Sequence, residues 1–291
     1  MVIARISSGL GNQLFQYATA RALSIRLGSR LYLDRTLFGP HEPYVCELPR
    51  YNIRAALAGR VTTALARHGT ESPPPRFKAR AAAAVARRCF TCIVDRQAGY
   101  DARLGEVRGN VILRGHWETE KYFVDHRDVI RRELTLRHAP DQVNAGLVAE
   151  MAGREAVCVH IRRGDRERVP ELRAFHGLCP LSYYEAGLTR IREHCQNPWF
   201  YVFSNDPDWV RANLRLPGPS TYVTHNLRKQ DYEDLRLMTA CKHFVIANST
   251  FSWWGAWLSN HPDKLVIGPK NWFAVEHASV PDLLPPTWVR M

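Results

Sequence analysis

Three apolar runs in the second half of the chain each end in a polar cluster and then a helical pattern. No other feature constrains the fold as tightly. Ala156-Val157-Cys158-Val159 leads into His160-Ile161-Arg162-Arg163-Gly164-Asp165, Trp199-Phe200-Tyr201-Val202-Phe203 into Ser204-Asn205-Asp206, and His243-Phe244-Val245-Ile246-Ala247 into Asn248-Ser249-Thr250. Short apolar runs without alternation suit strands buried on both faces. A short strand at 221–224 and a helical stretch at 231–240 lie between them, and a last strand, Leu265-Val266-Ile267, stops at Gly268-Pro269. Strand, polar loop, helix, strand is the rhythm of a parallel sheet with crossover helices. Ligands of such sheets bind outside the carboxyl ends of the strands, and all three polar clusters fall there.

Arg162 and Arg163 sharpen that expectation. Two adjacent guanidiniums at a buried strand end cannot both go unpaired, because an isolated buried charge is prohibitively costly. Their planar forks suit carboxylate or phosphate, and Gly164 lets a backbone approach closely. A structural ion pair with Asp165 accounts for one arginine; a phosphate accounts for both.

The first fifty residues repeat the pattern. Val2-Ile3-Ala4-Arg5-Ile6 leads through Ser7-Ser8-Gly9-Leu10-Gly11-Asn12-Gln13 to a helix with Leu14, Phe15, Ala18, Ala22 and Ile25 on one face, then Gly28 and the strand Leu31-Tyr32-Leu33-Asp34. The glycine loop resembles a dinucleotide fingerprint with Asp34 as the ribose acid, but Leu14 stands where the third glycine belongs, which argues against NAD or FAD. The loop still offers backbone N–H groups and the Asn12 and Gln13 amides to a ligand.

From about residue 39 to 109 the composition changes: Ser72-Pro73-Pro74-Pro75 interrupts it, and the stretch 76–88 is basic without an acid. A solvated helix on an insertion explains it; so does peripheral docking to an anionic membrane through Arg76, Arg80 and Arg87. The division expected is an N-terminal domain at 1–140 with a variable insertion at about 55–105, a C-terminal domain at 141–270, and a tail at 271–291 packing back on the N-terminal domain.

The net charge of +12 favours an anionic partner. No run approaches the ~18 apolar residues of a membrane span. The chain opens directly on a strand without a signal segment, and its seven cysteines are odd in number and scattered, so a cytoplasmic protein with reduced thiols is expected. Cys89 and Cys92 form a lone C-x-x-C, read as ordinary thiols, and no His/Cys cluster has zinc spacing. Asp206-Pro207-Asp208 imitates a metal-binding D-x-D, yet it opens a helix, where a capping Asp followed by Pro is expected anyway.

Four blocks together carry a family resemblance: Gly9-Leu10-Gly11-Asn12-Gln13-Leu14-Phe15-Gln16-Tyr17-Ala18, the segment 160–165, Phe203-Ser204-Asn205-Asp206, and Ala247-Asn248-Ser249-Thr250-Phe251-Ser252-Trp253-Trp254-Gly255-Ala256. Glu47-Leu48, Tyr51-Asn52-Ile53, the segment 117–123 and Gly268-Pro269-Lys270-Asn271-Trp272-Phe273 support them. The chain resembles the α-1,2-fucosyltransferases of glycosyltransferase family 11, over nearly its whole length except about residues 55–105.

The resemblance implies an α/β, GT-B-like architecture, two Rossmann-like domains facing across a cleft. It implies inverting, metal-independent transfer of L-fucose from GDP-β-L-fucose to the 2-hydroxyl of a terminal galactose-type sugar in an oligosaccharide, polysaccharide or lipid-linked acceptor, with no cofactor. By motif, Arg162 would hold the β-phosphate with Arg163 in support, and His160 and Asp206 would read the guanine. Ser249, Thr250 and Ser252 would bind the diphosphate, and Gly11 and Asn12 would approach the donor from the N-terminal domain. Asp165 is the candidate general base, with Glu167 and Glu171 as alternatives; Asp165 serves equally well as a structural partner of Arg163. Trp253, Trp254 and Trp257 could stack a sugar or base, although aromatics at helical spacing usually belong to the core. A transferase for another GDP-sugar, a non-catalytic nucleotide- or glycan-binding relative, and a basic RNA- or DNA-binding protein are the competing readings; no nucleic-acid module is present to support the last.

Overall fold

A computed structural model describes residues 1–59, 62–63, 88–95, 99–226, 230–275 and 281–291. The chain divides into two units, Met1–Arg137 and His138–Met291. Most of the basic stretch 76–88, including Arg76, Arg80 and Arg87, lies outside the described residues.

In the first unit the elements are β1 (Val2–Arg5), α1 (Leu10–Arg26), β2 (Leu31–Asp34), β3 (Ala56–Leu57), β4 (Phe90–Val94), α2 (Arg103–Glu106), β5 (Asn110–Arg114) and α3 (Arg127–Glu133), with short 3-10 turns between some of them. The strands form one sheet in the order β3-β2-β1-β5-β4, parallel throughout. Two expectations are corrected. The helix starts at Leu10, so Gly11, Asn12 and Gln13 form its first turn rather than a loop. The supposed insertion at 55–105 contributes β3 and β4 to the sheet; a two-residue and a five-residue strand among arginines and glycines are too short to register as periodic runs.

The polar residues of the first block shape the backbone. Gln13 is fully buried, and its amide donates to the carbonyls of Ser8 and Val45, both at 2.8 Å, while its oxygen accepts the Glu47 N–H at 2.9 Å. Those bonds leave the Gln13 amide committed, contrary to the ligand-binding role expected for it. Gln16 accepts the Ser7 N–H at 2.9 Å, and the Tyr17 hydroxyl donates to Glu133, which also pairs with Arg21 at 2.8 Å. Asp34 is buried and accepts the Thr36 hydroxyl at 2.8 Å, an Asx-type turn rather than a ribose contact.

In the second unit come α4 (Gln142–Ala152), β6 (Glu155–Ile161), α5 (Gly164–Arg168), α6 (Pro170–His176), α7 (Leu181–His194), β7 (Pro198–Ser204), α8 (Pro207–Asn213), β8 (Ser220–Val223), α9 (Asp231–Ala240), β9 (His243–Val245), α10 (Thr250–Leu258), β10 (Val266–Gly268) and β11 (Val289–Arg290). The sheet order is β11-β10-β9-β6-β7-β8, again parallel throughout. Counted in chain order within this unit and read from β8, that is 3-2-1-4-5-6, the doubly wound arrangement whose order reverses between its first and fourth strands. The reversal lies between β6 and β9. β6 is buried from Ala156 to Ile161, with Val157, Val159, Val202 and Val245 in one apolar cluster.

The tail, expected to pack on the N-terminal domain, takes a place in this second sheet: Ile267 pairs with Val289, and the Lys270 N–H donates to the Met291 carbonyl at 2.6 Å. Trp253 and Trp254 are fully buried, and the Trp253 indole N–H donates to the Leu283 carbonyl at 2.8 Å, so these rings are core. Within α10, Gly255 allows α9 to come close: a Cβ there would lie 2.8 Å from the Met238 Cβ. Gly255→Ala is therefore expected to destabilise the chain by about 1–3 kcal/mol through overpacking. Urea denaturation measures this; an unchanged midpoint would show that Met238 yields freely.

Candidate active site

The site is built where β6, β7 and β9 end side by side. Gly164 opens α5 directly against the loop after β7, where a Cβ would stand 3.0 Å from the Asn205 amide nitrogen and 3.1 Å from its carbonyl oxygen. This close approach lets Asn205 stitch the two strand ends: its side-chain oxygen accepts the Arg163 N–H at 2.9 Å, and its amide donates to Asp165 Oδ1 at 2.8 Å. The other oxygen of Asp165 accepts from Arg162 Nη2 at 2.6 Å. Partial burial pushes the Asp165 carboxyl up, but the Arg162 hydrogen bond and charge, with Asn205, outweigh it and hold the group below the usual carboxylate range. The side chain of Arg162 remains 31% exposed, a cation aimed by a carboxylate yet open to a ligand.

Arg163 differs from expectation. Its guanidinium lies 3.8 Å above the Trp209 ring and pairs with Glu167 at 2.5 Å. Cation–π stacking and that pair hold its outer end toward α8, while its buried Nε has no hydrogen-bond partner among the described residues. Asp165 likewise partners Arg162, not Arg163. Of the three carboxylates considered as general base, Asp165 and Glu167 are both held by arginines, and Glu171 is exposed in the first turn of α6.

The residue that sequence reasoning missed is Arg166. It is buried, and it donates to the Asn248 side-chain oxygen at 2.6 Å and to the Asn248 carbonyl at 2.9 Å. The Asn248 amide in turn donates to the carbonyls of His176 (2.8 Å) and Trp272 (3.0 Å). One asparagine thus joins α5, the end of α6, the end of β9 and the segment after β10. The position of Arg166 in the short helix that follows the strand end, beside the Arg162-Arg163 pair, was the available signal. Over 162–168 four arginines stand against Asp165 and Glu167, so the segment is net positive.

Ser249 precedes α10, with its N–H donating to the Ala247 carbonyl at 2.7 Å, and Thr250 opens the helix. Ser252, expected as a diphosphate ligand, is fully buried, and its hydroxyl donates to the carbonyls of Ala247 (3.4 Å) and Ser249 (3.3 Å). It shapes the turn instead. Asp206 caps α8 by accepting the Trp209 N–H at 3.3 Å, and Asp208 pairs with Arg211 at 3.1 Å, so the D-x-D acids serve one helix start. Gly11 and Asn12 belong to the first unit. Among the described residues, the group with metal-ligand spacing is Glu155, Cys195 and His243. Glu155 and His243 open β6 and β9, at the opposite end of the sheet.

His160, near the end of β6, is buried with its ring 5.9 Å from Phe251, and its Nδ1 has no hydrogen-bond partner among the described residues. Burial, then the charges of Arg162 and Arg166, push its pKa down to about 3, so the ring is neutral at pH 7.

Residues 106–291 match the family model described as Glycosyl transferase family 11. The chain belongs to glycosyltransferase family 11. It is 32% identical to an α-1,2-colitosyltransferase of Escherichia coli, over 100% of this chain and 99% of that protein. It is 29% identical to human galactoside α-(1,2)-fucosyltransferase 1, over 47% of this chain and 40% of that protein. Among solved structures, a mutant of Arabidopsis thaliana FUT1 in complex with GDP aligns with a TM-score of 0.56 at 12% identity, over 98% of this chain and 74% of that one. At that identity the likeness concerns the fold: two parallel-sheet, Rossmann-like units of the GT-B class, as expected from the resemblance. The protein is a glycosyltransferase, and among its described residues no helix is long and apolar enough to cross a membrane.

The neutral His160 links stability to pH. Between its ordinary pKa of about 6.5 and the folded value of about 3, the unfolded chain binds one more proton than the native one. The contribution is therefore full above about pH 6.5 and is lost as pH falls through that window, by up to about 1.4 kcal/mol per pH unit. His160→Gln should flatten the fall in unfolding free energy between pH 6 and 4 by roughly that slope. Identical slopes in the two proteins, measured by urea denaturation, would contradict the assignment.

Proposed function

We propose that this glycosyltransferase moves L-fucose from GDP-β-L-fucose to the 2-hydroxyl of a terminal galactose-type sugar, with inversion and without a metal. The observation that carries the reading is Arg162, partly exposed and held by Asp165 at the sheet reversal between β6 and β9. As the glycosidic bond to the diphosphate breaks, positive charge grows on the sugar ring and negative charge on the departing GDP. A cation fixed in advance stabilises that transition state more than bound substrate, which is what accelerates the step. The first turn of α10 adds the positive end of a helix dipole. Together they supply electrostatic compensation of the kind a divalent cation provides elsewhere. His160 and Asp206, at neighbouring strand ends, are assigned to the guanine, and the likeness of the fold to a GDP-bound fucosyltransferase supports a GDP-sugar donor. As the acceptor oxygen bonds to the sugar's C1 on the face opposite the departing diphosphate, its proton passes to water; Asp165 acts by aiming Arg162.

A second donor is favoured by one finding, the full-length similarity to an α-1,2-colitosyltransferase. Colitose is fucose without its 3-hydroxyl, so a site built for one differs little from a site built for the other. Parallel turnover of GDP-fucose, GDP-colitose and GDP-mannose with a panel of galactosides, followed by linkage analysis, decides the donor and the bond formed. GDP-fucose or GDP-colitose should be used, an α-1,2 linkage should form, and EDTA should leave the rate unchanged. Inactivation by EDTA reversed by Mn²⁺ would overturn the metal-free mechanism.

Arg162→Ala should abolish detectable transfer and weaken GDP binding with an unaltered far-UV spectrum. Asp165→Asn should lower kcat roughly 10- to 100-fold while keeping the shape of the pH–rate profile, because a neutral partner still occupies the place beside Arg162. Loss of the acidic limb of the profile would instead make Asp165 the proton acceptor.

A further inference from the structure

Across the carboxyl edge of the second sheet the strands run β7, β6, β9, β10. The edge therefore presents Asp206, then His160 and Arg162, then Asn248 and Ser249, then the segment after Gly268. Neighbouring strands lie about 4.8 Å apart, so three steps cover roughly 14 Å, along which base and ribose, diphosphate and hexose would follow in that order with the nucleotide bent. With the base at Asp206 and His160 and the diphosphate at Arg162 and α10, the sugar falls beside the segment that follows β10.

That segment is aromatic. The rings of Phe273 and Phe175 lie 5.0 Å apart at 53°, and the His176 ring is 5.7 Å from Phe273 and 5.0 Å from Phe175. Phe175 is 47% exposed, an uncommon state for a phenyl ring whose backbone is so firmly held. The Asn248 amide grips the carbonyls of His176 and Trp272, each adjacent in sequence to one of the two rings, and the Ala274 N–H donates to the Phe175 carbonyl at 3.0 Å. Gly177 turns the chain away at φ +67°, where a Cβ would come within 3.1 Å of the Ala274 Cβ. The asparagine that hydrogen-bonds Arg166 thus also sets two rings, Phe175 exposed and Phe273 half-buried, at a fixed spacing one strand from the proposed phosphate site.

We infer that Phe175 and Phe273 form a platform for the apolar face of the transferred sugar, an inference that rests on the donor reading above. A 6-deoxy pyranose carries a methyl group and a face of C–H bonds. Laying that face on aromatic rings removes apolar area from water on both partners and leaves the hydroxyls at the rim. Guanine, the other flat component of the donor, is assigned two strands away. The acceptor sugar offers the same C–H chemistry, and the experiment separates the two sources.

Calorimetric titration of the full chain with GDP and, separately, with GDP-fucose is compared for the wild type, Phe175→Ala, Phe273→Ala and Phe175→Tyr. The acceptor KM is measured with the best galactoside of the panel above. GDP affinity should stay within about twofold in every variant, which also certifies the fold, and GDP-fucose should bind roughly three- to tenfold more weakly to each alanine variant. Phe175→Tyr should retain wild-type affinity for it, and the acceptor KM should not move. Equal weakening of GDP and GDP-fucose would transfer the rings to the nucleotide. A raised acceptor KM with unchanged GDP-fucose affinity would assign them to the acceptor, and no change in any constant would remove the platform. A wild-type chain that binds neither GDP nor GDP-fucose would overturn the donor reading itself, an outcome distinct from all of these.

Discussion

Arg166 is a full positive charge enclosed beneath the carboxyl end of a parallel sheet, and the surrounding architecture depends on how that charge is satisfied. Burial and the nearby Arg162 both work against its protonated form, and two short hydrogen bonds to Asn248 offset them. Leaving such a buried donor without its acceptor typically costs about 1–3 kcal/mol, more when it is charged, whereas exposed pairs such as Arg190–Glu193 contribute about 0–1 kcal/mol. Because Asn248 must face Arg166, its amide is left to hold the chain after α6 and after β10. The hydrogen-bonded floor of the site follows from one buried cation whose N–H groups need acceptors.

On that floor the charges are divided by task. Arg166 is consumed internally, Arg163 is stacked on Trp209, and only Arg162 combines a fixed direction with exposure. Asp165 and Asn205 achieve this by spanning two adjacent strand ends, which the absence of a side chain at Gly164 permits. The sheet reversal between β6 and β9 supplies the remaining requirement: crossover connections leave on opposite sides there, so the strand ends stay open to a ligand.

Much of this was legible in the chain. Apolar runs ending in polar clusters identified β6, β7 and β9 and put the ligand at their carboxyl ends, because burial on both faces forces a continuous apolar run. The helix at 231–240 was found at its observed limits. The block at 9–18 was read as ligand-binding in part, yet Gln13, Gln16 and Tyr17 spend their polar atoms on backbone and on Glu133. A polar motif in a glycine-rich turn looks the same whether its amides face a ligand or brace a loop; only the partner atoms, some more than thirty residues distant, distinguish the cases. β4 and the strand in the tail escaped for a related reason. Edge strands of two to five residues are defined by the neighbour they pair with, not by their own periodicity.

What the sequence alone determined was the class of fold, the strand ends at which the polar clusters gather and the family, since each depends on local patterns of burial and polarity that persist along the chain. Tertiary structure decided which of three arginines stays exposed at the strand end, that the Ser252 hydroxyl is turned inward, and that Phe175 and Phe273 stand together. Those outcomes rest on competition among hydrogen-bond partners brought together by the strand order 3-2-1-4-5-6, and a charged side chain does not record in its own neighbourhood which partner will win.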